Sequence, residues 1–284
     1  MNAQAHDMPA LTGQILLDVP AAEYHRRELG VASNTVLKLL REKSPAHYRH
    51  WVDAEDDSET PALAFGRAYH CRVLEPERFA SEYVVAPDFG DMRSSTNRAK
   101  RDAWLAGRPG VTLLSADTSA QIEAMHAALM AHPVAAGIMR QGVSEVTMRW
   151  TDPETGVRVK ARADWWVRGK FFMDLKTTED ASPEGFARSV AKYGYHAQHA
   201  LYCEGARECG EAITNYLIVA QEKAAPYVPA IYHIDTAAEA RGYEMVRQGL
   251  LTMAECLTAN SWPGYGAGIK ELSLPPWALK EGAA

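Results

Sequence analysis

The chain has 284 residues, of which 47% are hydrophobic, and a formal net charge of −6. It can therefore bury a sizeable core as one large domain or two small ones, and no stretch approaches the ~20 apolar residues that would span a membrane. The N-terminal sequence MNAQAHDMPALTG lacks the basic start and apolar run of a secretory signal, so we expect a cytoplasmic protein. The net charge argues mildly against a nucleic-acid partner, but basic residues cluster at 93–101 and 158–170, which leaves that question open.

Helices are predicted for most of the first third of the chain. Ser33 is expected to cap a helix over NTVLKLLRE, and Ser44 a helix over PAHYRHWV, with Pro45 at its first position. One helix is expected over ALAFGRAYHCRVLEPERF. Two more are expected over 97–106 and 117–131, the second of which ends before Pro133.

Strands enter in the second half. Alternating residues rich in Val, Thr, Trp and Phe predict a three-stranded meander over SEVTMRWTD, VRVKARADWWV and KFFMDLKTT. A helix is expected over about 184–208, then strands in AITNYLIVAQ and VPAIYHID, then a helix over 236–258. This order predicts an α/β (α+β) fold with a mixed sheet. We expect one domain over 1–284, with a segment 1–30 that could be flexible, a mainly helical part 31–135 and a sheet-and-helix core 143–258.

The second and third strands of this meander contain the candidate functional residues. If 168–170 form a three-residue loop, with Gly169 free to take a positive φ, Val167 lies opposite Phe171 and Asp164 opposite Asp174. Since side chains alternate, one face collects only apolar residues: Ala161, Ala163, Trp165, Val167, Phe171, Met173 and Leu175. The other face collects Arg162, Asp164, Asp174 and Lys176.

Two aspartates on opposite strands, with Cβ atoms ~5 Å apart, should repel each other unless a cation lies between them. Mg²⁺ binds carboxylate oxygens and water, and the carbonyl of Leu175 could supply a further oxygen. Lys176 projects to the same side, where it could orient or deprotonate a water and offset charge on a phosphate. The pattern thus outlines metal-assisted phosphodiester hydrolysis. The alternative is a structural role without a metal: a half-exposed hairpin whose aspartates pair with Arg and Lys. For an isolated D-x-K motif this structural role is the commoner case.

Further residues could join such a site. His70, within a largely apolar helix, could supply a nitrogen ligand, although a lone helical histidine is more often structural. Glu145 on the first meander strand is by itself an exposed acid. Gln198 and Tyr202 lie four residues apart on one helical face and could bond a phosphate oxygen without adding charge.

Several other chemistries lack their sequence signals. The four cysteines contain no C-x₂-C pair, so we expect no iron–sulfur cluster. The chain also has no G-x-S-x-G nucleophile elbow and no Walker-type or Rossmann-type glycine loop.

Together these segments resemble one family. GRAYH, Glu145, Asp164, DLK and QHALY follow the order of the RecB-like branch of the PD-(D/E)XK nucleases. The flanking sequences AAEYHRRELGVASNTVLKLLREKSPAHYRHW, YGYHAQHALYCEGA and LPPWA look like the RecE-type exonuclease, also called exodeoxyribonuclease VIII. The resemblance covers roughly residues 20–278, and the five-part order is far more specific than any single motif.

The resemblance implies a PD-(D/E)XK core, with a mixed central sheet flanked by helices, that degrades linear double-stranded DNA from the 5′ end with Mg²⁺ and leaves 3′ tails for recombination. Mn²⁺ is expected to substitute for Mg²⁺. Such enzymes are typically phage or prophage proteins in bacteria, partnered by a single-strand annealing protein, and their relatives form ring-like homo-oligomers. Carried onto this chain, the resemblance implies that His70, Asp164 and Asp174 are metal ligands and that Lys176 is the catalytic lysine. Glu145 would be an acid beside the metals. Gln198 and Tyr202 would support the phosphate or the ligands. Arg162 and the basic segment 93–101 are our own interpretation of where DNA is contacted.

Three other functions are compatible with the same motifs. One is an endonuclease or structure-specific nuclease of the same fold. Another is a catalytically silent DNA-binding or assembly protein, although every motif position here holds a competent residue. The third is a metal-dependent enzyme that acts on other phosphodiesters such as RNA.

Overall fold

The computed structural model describes residues 13–54, 60–213, 215–274 and 278. The expected flexible segment 1–30 therefore lies partly outside the described residues, as do 275–277 of the motif LPPWA.

The strands are β1 Gly13–Leu16, β2 Val31–Ala32, β3 Tyr83–Val85, β4 Thr112–Leu114, β5 Val143–Thr151, β6 Arg158–Val167, β7 Phe171–Thr178, β8 Asn215–Glu222 and β9 Pro229–His233. The helices are α1 Ala21–Tyr24, α2 Asn34–Glu42, α3 Pro45–Asp53, α4 Pro61–Leu74, α5 Pro76–Glu82, α6 Ser95–Ala106, α7 Ala116–Ala131, α8 Pro133–Met139, α9 Pro183–Tyr193, α10 Tyr195–Glu208 and α11 Thr236–Ala259.

The main sheet is mixed, as the sequence predicts. Its strands lie in the order β1-β5-β6-β7-β8-β9, and β2 pairs with β6. The pairs β2–β6 and β7–β8 are parallel, and the other pairs are antiparallel. A parallel pair needs a crossover connection, and α9 and α10 provide it between β7 and β8. A separate small sheet pairs β3 with β4.

Two hydrophobic clusters hold the helices against the sheet. The larger one joins residues of α2, α10 and α11 to β5 and β6, and it includes Leu201 and Leu250. The second joins α4 and α7 to β7 and β8, and it includes Tyr69, Met125 and Leu175. Helices therefore cover both faces of the sheet, and β7 lies between the two clusters.

The β6–β7 hairpin has the predicted loop. Val167 pairs with Phe171 and Trp165 with Met173, and Gly169 has a φ of 68°, a conformation that costs glycine little. The observed register is thus the one that a three-residue loop requires.

The predicted alternation, however, is wrong beyond Trp165. The β6–β7 pairing ends there, and Glu145 and Asp164 are not paired between β5 and β6, although the pairing continues on both sides of them. Glu145 also has a φ of 54°, which is uncommon for a residue with a side chain. Ala161 and Ala163 accordingly belong to the larger cluster, whereas Met173 and Leu175 belong to the second. The apolar residues of the hairpin do not share one face, because regular pairing is interrupted at Asp164.

Several helix boundaries also differ from expectation. The helix expected over 184–208 is two helices, since Gly194 takes a left-handed φ of 74° between α9 and α10. The helix expected over 62–79 breaks before Pro76, which starts α5 because proline lacks the N–H that a helix interior requires. Pro133 likewise starts a further helix, α8. Ser33 caps α2 as predicted, but Ser44 makes no capping bond to α3.

Within the described residues, no single helix is long and apolar enough to cross a membrane. The pair α7 and α8 passes the same test only when taken together, and it is bent by 98°.

Candidate active site

Four separate segments bring their polar side chains together beside the interruption in β6. Asp164 comes from β6, Asp174 and Lys176 from β7, His70 from α4 and Gln198 from α10. The parallel β7–β8 crossover returns α10 across β7, which places Gln198 against Asp174. The structure thus gathers the residues of four of the five sequence motifs at one point.

Asp164 is held from two sides. Its Oδ2 accepts a hydrogen bond of 2.7 Å from the backbone N–H of Leu175, and the Nδ1 of His70 lies 3.6 Å from the same oxygen. Burial, followed by the charge of Asp174, raises the pKa of Asp164 well above its usual range. The aspartates are therefore electrostatically coupled, although they do not form the directly opposed pair that the sequence predicts.

Asp174 is almost fully buried, with 1% of the residue exposed. Its Oδ1 accepts a hydrogen bond of 2.7 Å from the Nε2 of Gln198, and its Oδ2 forms an ion pair with the Nζ of Lys176. The Gln198 side chain also acts on Tyr202, since it lowers the pKa of that phenol against the larger effect of burial. Gln198 thus contacts a carboxylate directly, whereas the expected role of Tyr202 stays a prediction.

Lys176 is charged in this environment. Burial alone would lower its pKa, but the carboxylates of Asp174 and Asp164 outweigh burial, so that its pKa is raised. The ammonium therefore offsets the charge of the two aspartates.

His70 is neutral near pH 7. Burial and the nearby charge of Lys176 lower its pKa to about 4, although Asp174 and a hydrogen bond to the Leu175 backbone act in the other direction. A neutral imidazole has one ring nitrogen with a free lone pair, which is the form that binds a metal.

Arg162 is buried and bound by other protein groups, and a DNA contact through its guanidinium stays a prediction. Only 6% of its side chain is exposed. Its donors are occupied by the hydroxyl of Thr147 at 3.0 Å and the carbonyl of Val19 at 2.7 Å. The guanidinium also lies 4.3 Å from the ring centroid of Tyr24.

Glu145 lies near the site but points toward Arg162. Its Oε2 is 3.5 Å from the Nη1 of Arg162, and its charge contributes to the raised pKa of Asp164. Burial raises the pKa of Glu145 itself, and Arg162 opposes that rise. Glu145 is therefore an acid beside the aspartates that already has a cationic partner.

The basic segment 93–101 lies mostly on α6, a helix without a buried residue. Arg98 donates to the carbonyls of Met92 and Arg93, and Arg101 pairs with Asp102. A DNA contact by this segment stays a prediction.

Sequence reasoning missed Tyr195. Its ring centroid lies 4.9 Å from the Nζ of Lys176, and it stands three residues before Gln198 on α10. Residues three apart share a helical face, so a search for further residues on the Gln198 face would have found it. Tyr24, which lies beneath Arg162, had no comparable signal.

The donor set has the chemistry of a Mg²⁺ or Mn²⁺ site, since it offers two carboxylates and a neutral imidazole. Among the residues that the structure describes, no group of three or more His, Cys, Asp and Glu side chains is arranged to hold a metal ion. The reason is local: Asp164 is engaged by the Leu175 N–H, Asp174 by Lys176, and Glu145 by Arg162. The residue types fit a divalent cation, whereas the oxygens are held by protein donors.

A family model that describes a PDDEXK-like domain of unknown function, DUF3799, matches residues 33–273. The chain belongs to this family. Among solved structures, this DUF3799 chain is similar to a "putative exonuclease" from Eubacterium rectale, with a TM-score of 0.59 and 16% identity over 94% of this chain and 99% of that one. At that identity the likeness shows a shared fold. No curated protein matches the chain. Family and fold together confirm the predicted PD-(D/E)XK superfamily and indicate a nuclease-like domain.

Proposed function

We propose that the chain is a Mg²⁺-dependent exodeoxyribonuclease of the RecE type, which degrades linear double-stranded DNA from 5′ to 3′ and leaves 3′ single-stranded tails for recombination. The observation that carries the proposal is the convergence of Asp164, Asp174 and Lys176 with His70 and Gln198. Polarity and the recombination role rest on the sequence resemblance alone.

In this proposal Asp164 and Asp174 would hold the metal, with His70 and the carbonyl of Leu175 as further ligands. A bound Mg²⁺ would supply Lewis acidity and lower the pKa of a coordinated water. Lys176 would hold its ammonium against a phosphate oxygen and offset the charge that develops there. Gln198, supported by Tyr202, would fix the orientation of the Asp174 carboxylate. Mn²⁺ is proposed to replace Mg²⁺.

The resemblance also supports proposals about the partners. These are a single-strand annealing protein, a ring-like homo-oligomer around the DNA product, and a phage or prophage origin in bacteria. Size measurement of the purified protein and co-purification with a candidate annealing protein would test them.

The first experiment follows the digestion of a linear duplex labelled at its 5′ or its 3′ end, with and without Mg²⁺, beside a covalently closed circle. Early loss of the 5′ label with an intact circle is the expected result. Nicking of the circle would instead identify an endonuclease, and digestion of RNA in a parallel reaction would reveal a broader substrate range. Binding without digestion in Mg²⁺ or Mn²⁺ would favour a silent DNA-binding protein.

Variants connect the activity to the site. Asp164→Ala and Lys176→Ala are expected to abolish cleavage while the fold is retained. Asp117→Ala, an exposed aspartate in the first turn of α7, is the matched control. An active Asp164→Ala/Lys176→Ala double variant would refute the assignment.

A further inference from the structure

Two tyrosines at the junction of α9 and α10 lead from Lys176 to the protein surface. The left-handed Gly194 separates the two helices, with Tyr193 on one side and Tyr195 on the other. The Tyr195 ring contacts Lys176 at 4.9 Å, and its centroid is 5.7 Å from that of Tyr193. Tyr193 is 42% exposed. Two ring contacts therefore connect the candidate catalytic lysine to the protein surface.

Two lysines lie over the Tyr193 ring, and an arginine lies over the neighbouring Gly194. The Nζ atoms of Lys38 and Lys192 lie 5.4 Å and 5.3 Å from the Tyr193 centroid. The Nη2 of Arg41 would lie 3.0 Å from a Cβ added to Gly194, so its guanidinium covers the turn between the helices. We call Lys38, Arg41, Lys192 and Tyr193 the Tyr193 patch.

The charge of this patch is largely free to act on a ligand. Arg41 pairs with the neighbouring Glu42 at 3.3 Å, but among the described residues neither Lys38 nor Lys192 has an ion-pair partner. A cation–π contact at an exposed site is worth only about 0.5–1 kcal/mol. Tyr193 therefore restricts where the two ammonium groups lie without neutralising them. Two positioned ammonium groups form a local positive charge on a chain whose net charge is −6, and such a local charge is suited to binding an anion.

We propose that the Tyr193 patch binds the phosphodiester backbone of the DNA strand beside the phosphate that is cleaved, an inference that rests on the proposed function. Phosphate contacts from Lys and Arg position a nucleic acid without reading its sequence. Arg41 offers a planar pair of donors to a phosphate, and the lysines act as point charges. The patch thus keeps the strand in register with Lys176.

DNA binding in EDTA, where cleavage is blocked, tests the proposal. Fluorescence anisotropy of a labelled duplex with a single-stranded end is measured at increasing salt for the intact protein and for Lys38→Ala/Lys192→Ala. Each phosphate contact contributes about 0.9 to the slope of log affinity against log salt. The slope is therefore expected to fall by about 2, with weaker binding for every sequence tested.

A matched variant controls for the loss of charge. Arg168→Ala/Arg207→Ala removes two exposed cations, one at the hairpin turn and one near the far end of α10, and it should leave the slope unchanged. Tyr193→Phe should bind like the intact protein, whereas Tyr193→Leu should bind more weakly, because only phenylalanine keeps the aromatic face. Melting temperatures establish that each variant folds.

The outcomes separate the two proposals. Equal slopes for the intact protein and the lysine variant would overturn the role of the patch while leaving the nuclease assignment standing. An intact protein that neither binds nor cleaves DNA would overturn both. A control variant that loses as much slope as the lysine variant would also overturn the patch, because the effect would then be one of net charge.

Discussion

Gln198→Ala is expected to lower both the free energy of unfolding and the affinity for the metal. The Gln198 amide donates to Oδ1 of Asp174 at 2.7 Å, and Asp174 is only 1% exposed. Truncation leaves a buried carboxylate oxygen without that donor. A hydrogen bond to a charged group is worth about 1.5–3 kcal/mol, so we expect the free energy of unfolding to fall by about 2 kcal/mol. Loss of a residue that orients a metal-ligating carboxylate typically costs about 10–100-fold in metal affinity or activity.

Two measurements separate these effects. Urea unfolding without metal gives the stability change, and the cleavage rate against Mg²⁺ concentration gives the half-activating concentration, which should rise about 10–100-fold. Gln121→Ala is the matched control, because Gln121 donates at 2.7 Å to the neutral carbonyl of Lys223. The control should lose about 1 kcal/mol and keep the Mg²⁺ dependence of the intact protein. A Gln198→Ala variant that is destabilised but has unchanged Mg²⁺ dependence would refute the reasoning.

Two further predictions concern other residues of α10. Tyr195→Leu should lower kcat by about 2–30-fold, because it removes about 0.5–2 kcal/mol of cation–π contact with Lys176. Tyr195→Phe keeps the aromatic ring and should retain most of the kcat. Equal losses of kcat in the two variants would contradict a role for the ring of Tyr195. Burial raises the pKa of Glu204 to about 7, against the opposing charge of Arg247. The folded state therefore binds the proton more tightly than the unfolded state, and this group makes stability fall as pH rises from about 4.5 to about 7. Glu204→Gln should flatten that fall in urea unfolding at pH 5 and pH 8, and an unchanged pH profile would count against it.

The sequence predicts the hairpin well because its information there is local. The loop residues, the positive φ of Gly169 and the pairing of Val167 with Phe171 all follow from a short turn and a strict two-residue period. The interruption at Asp164 could not be predicted in this way. It coincides with the left-handed backbone of Glu145 in β5 and with the hydrogen bond from the Leu175 N–H to the Asp164 carboxylate, and neither feature follows from the residues of the hairpin alone.

The same difference explains what the sequence could not predict about Arg162 and Gly194. Alternation alone places Arg162 beside the aspartates, but the hydroxyl of Thr147 and the ring of Tyr24 hold its guanidinium elsewhere. The break at Gly194 is not evident from the residues, because a single glycine occurs within helices as well as after them. That break separates Tyr193 from the start of α10, and the Tyr193 patch was therefore invisible in the sequence.

The structure also changes the argument for a metal. The sequence argument requires a positive charge near two facing aspartates, and Lys176 already supplies one through its ion pair with Asp174. Proximity of the two acids is therefore explained by the protein itself. His70 adds a separate indication, because its Nδ1 lies 3.6 Å from the Oδ2 of Asp164 and imidazole nitrogen is a common ligand of divalent metals. Together with the carboxyl groups of Asp164 and Asp174, this nitrogen completes the set of residue types that we propose holds a divalent cation.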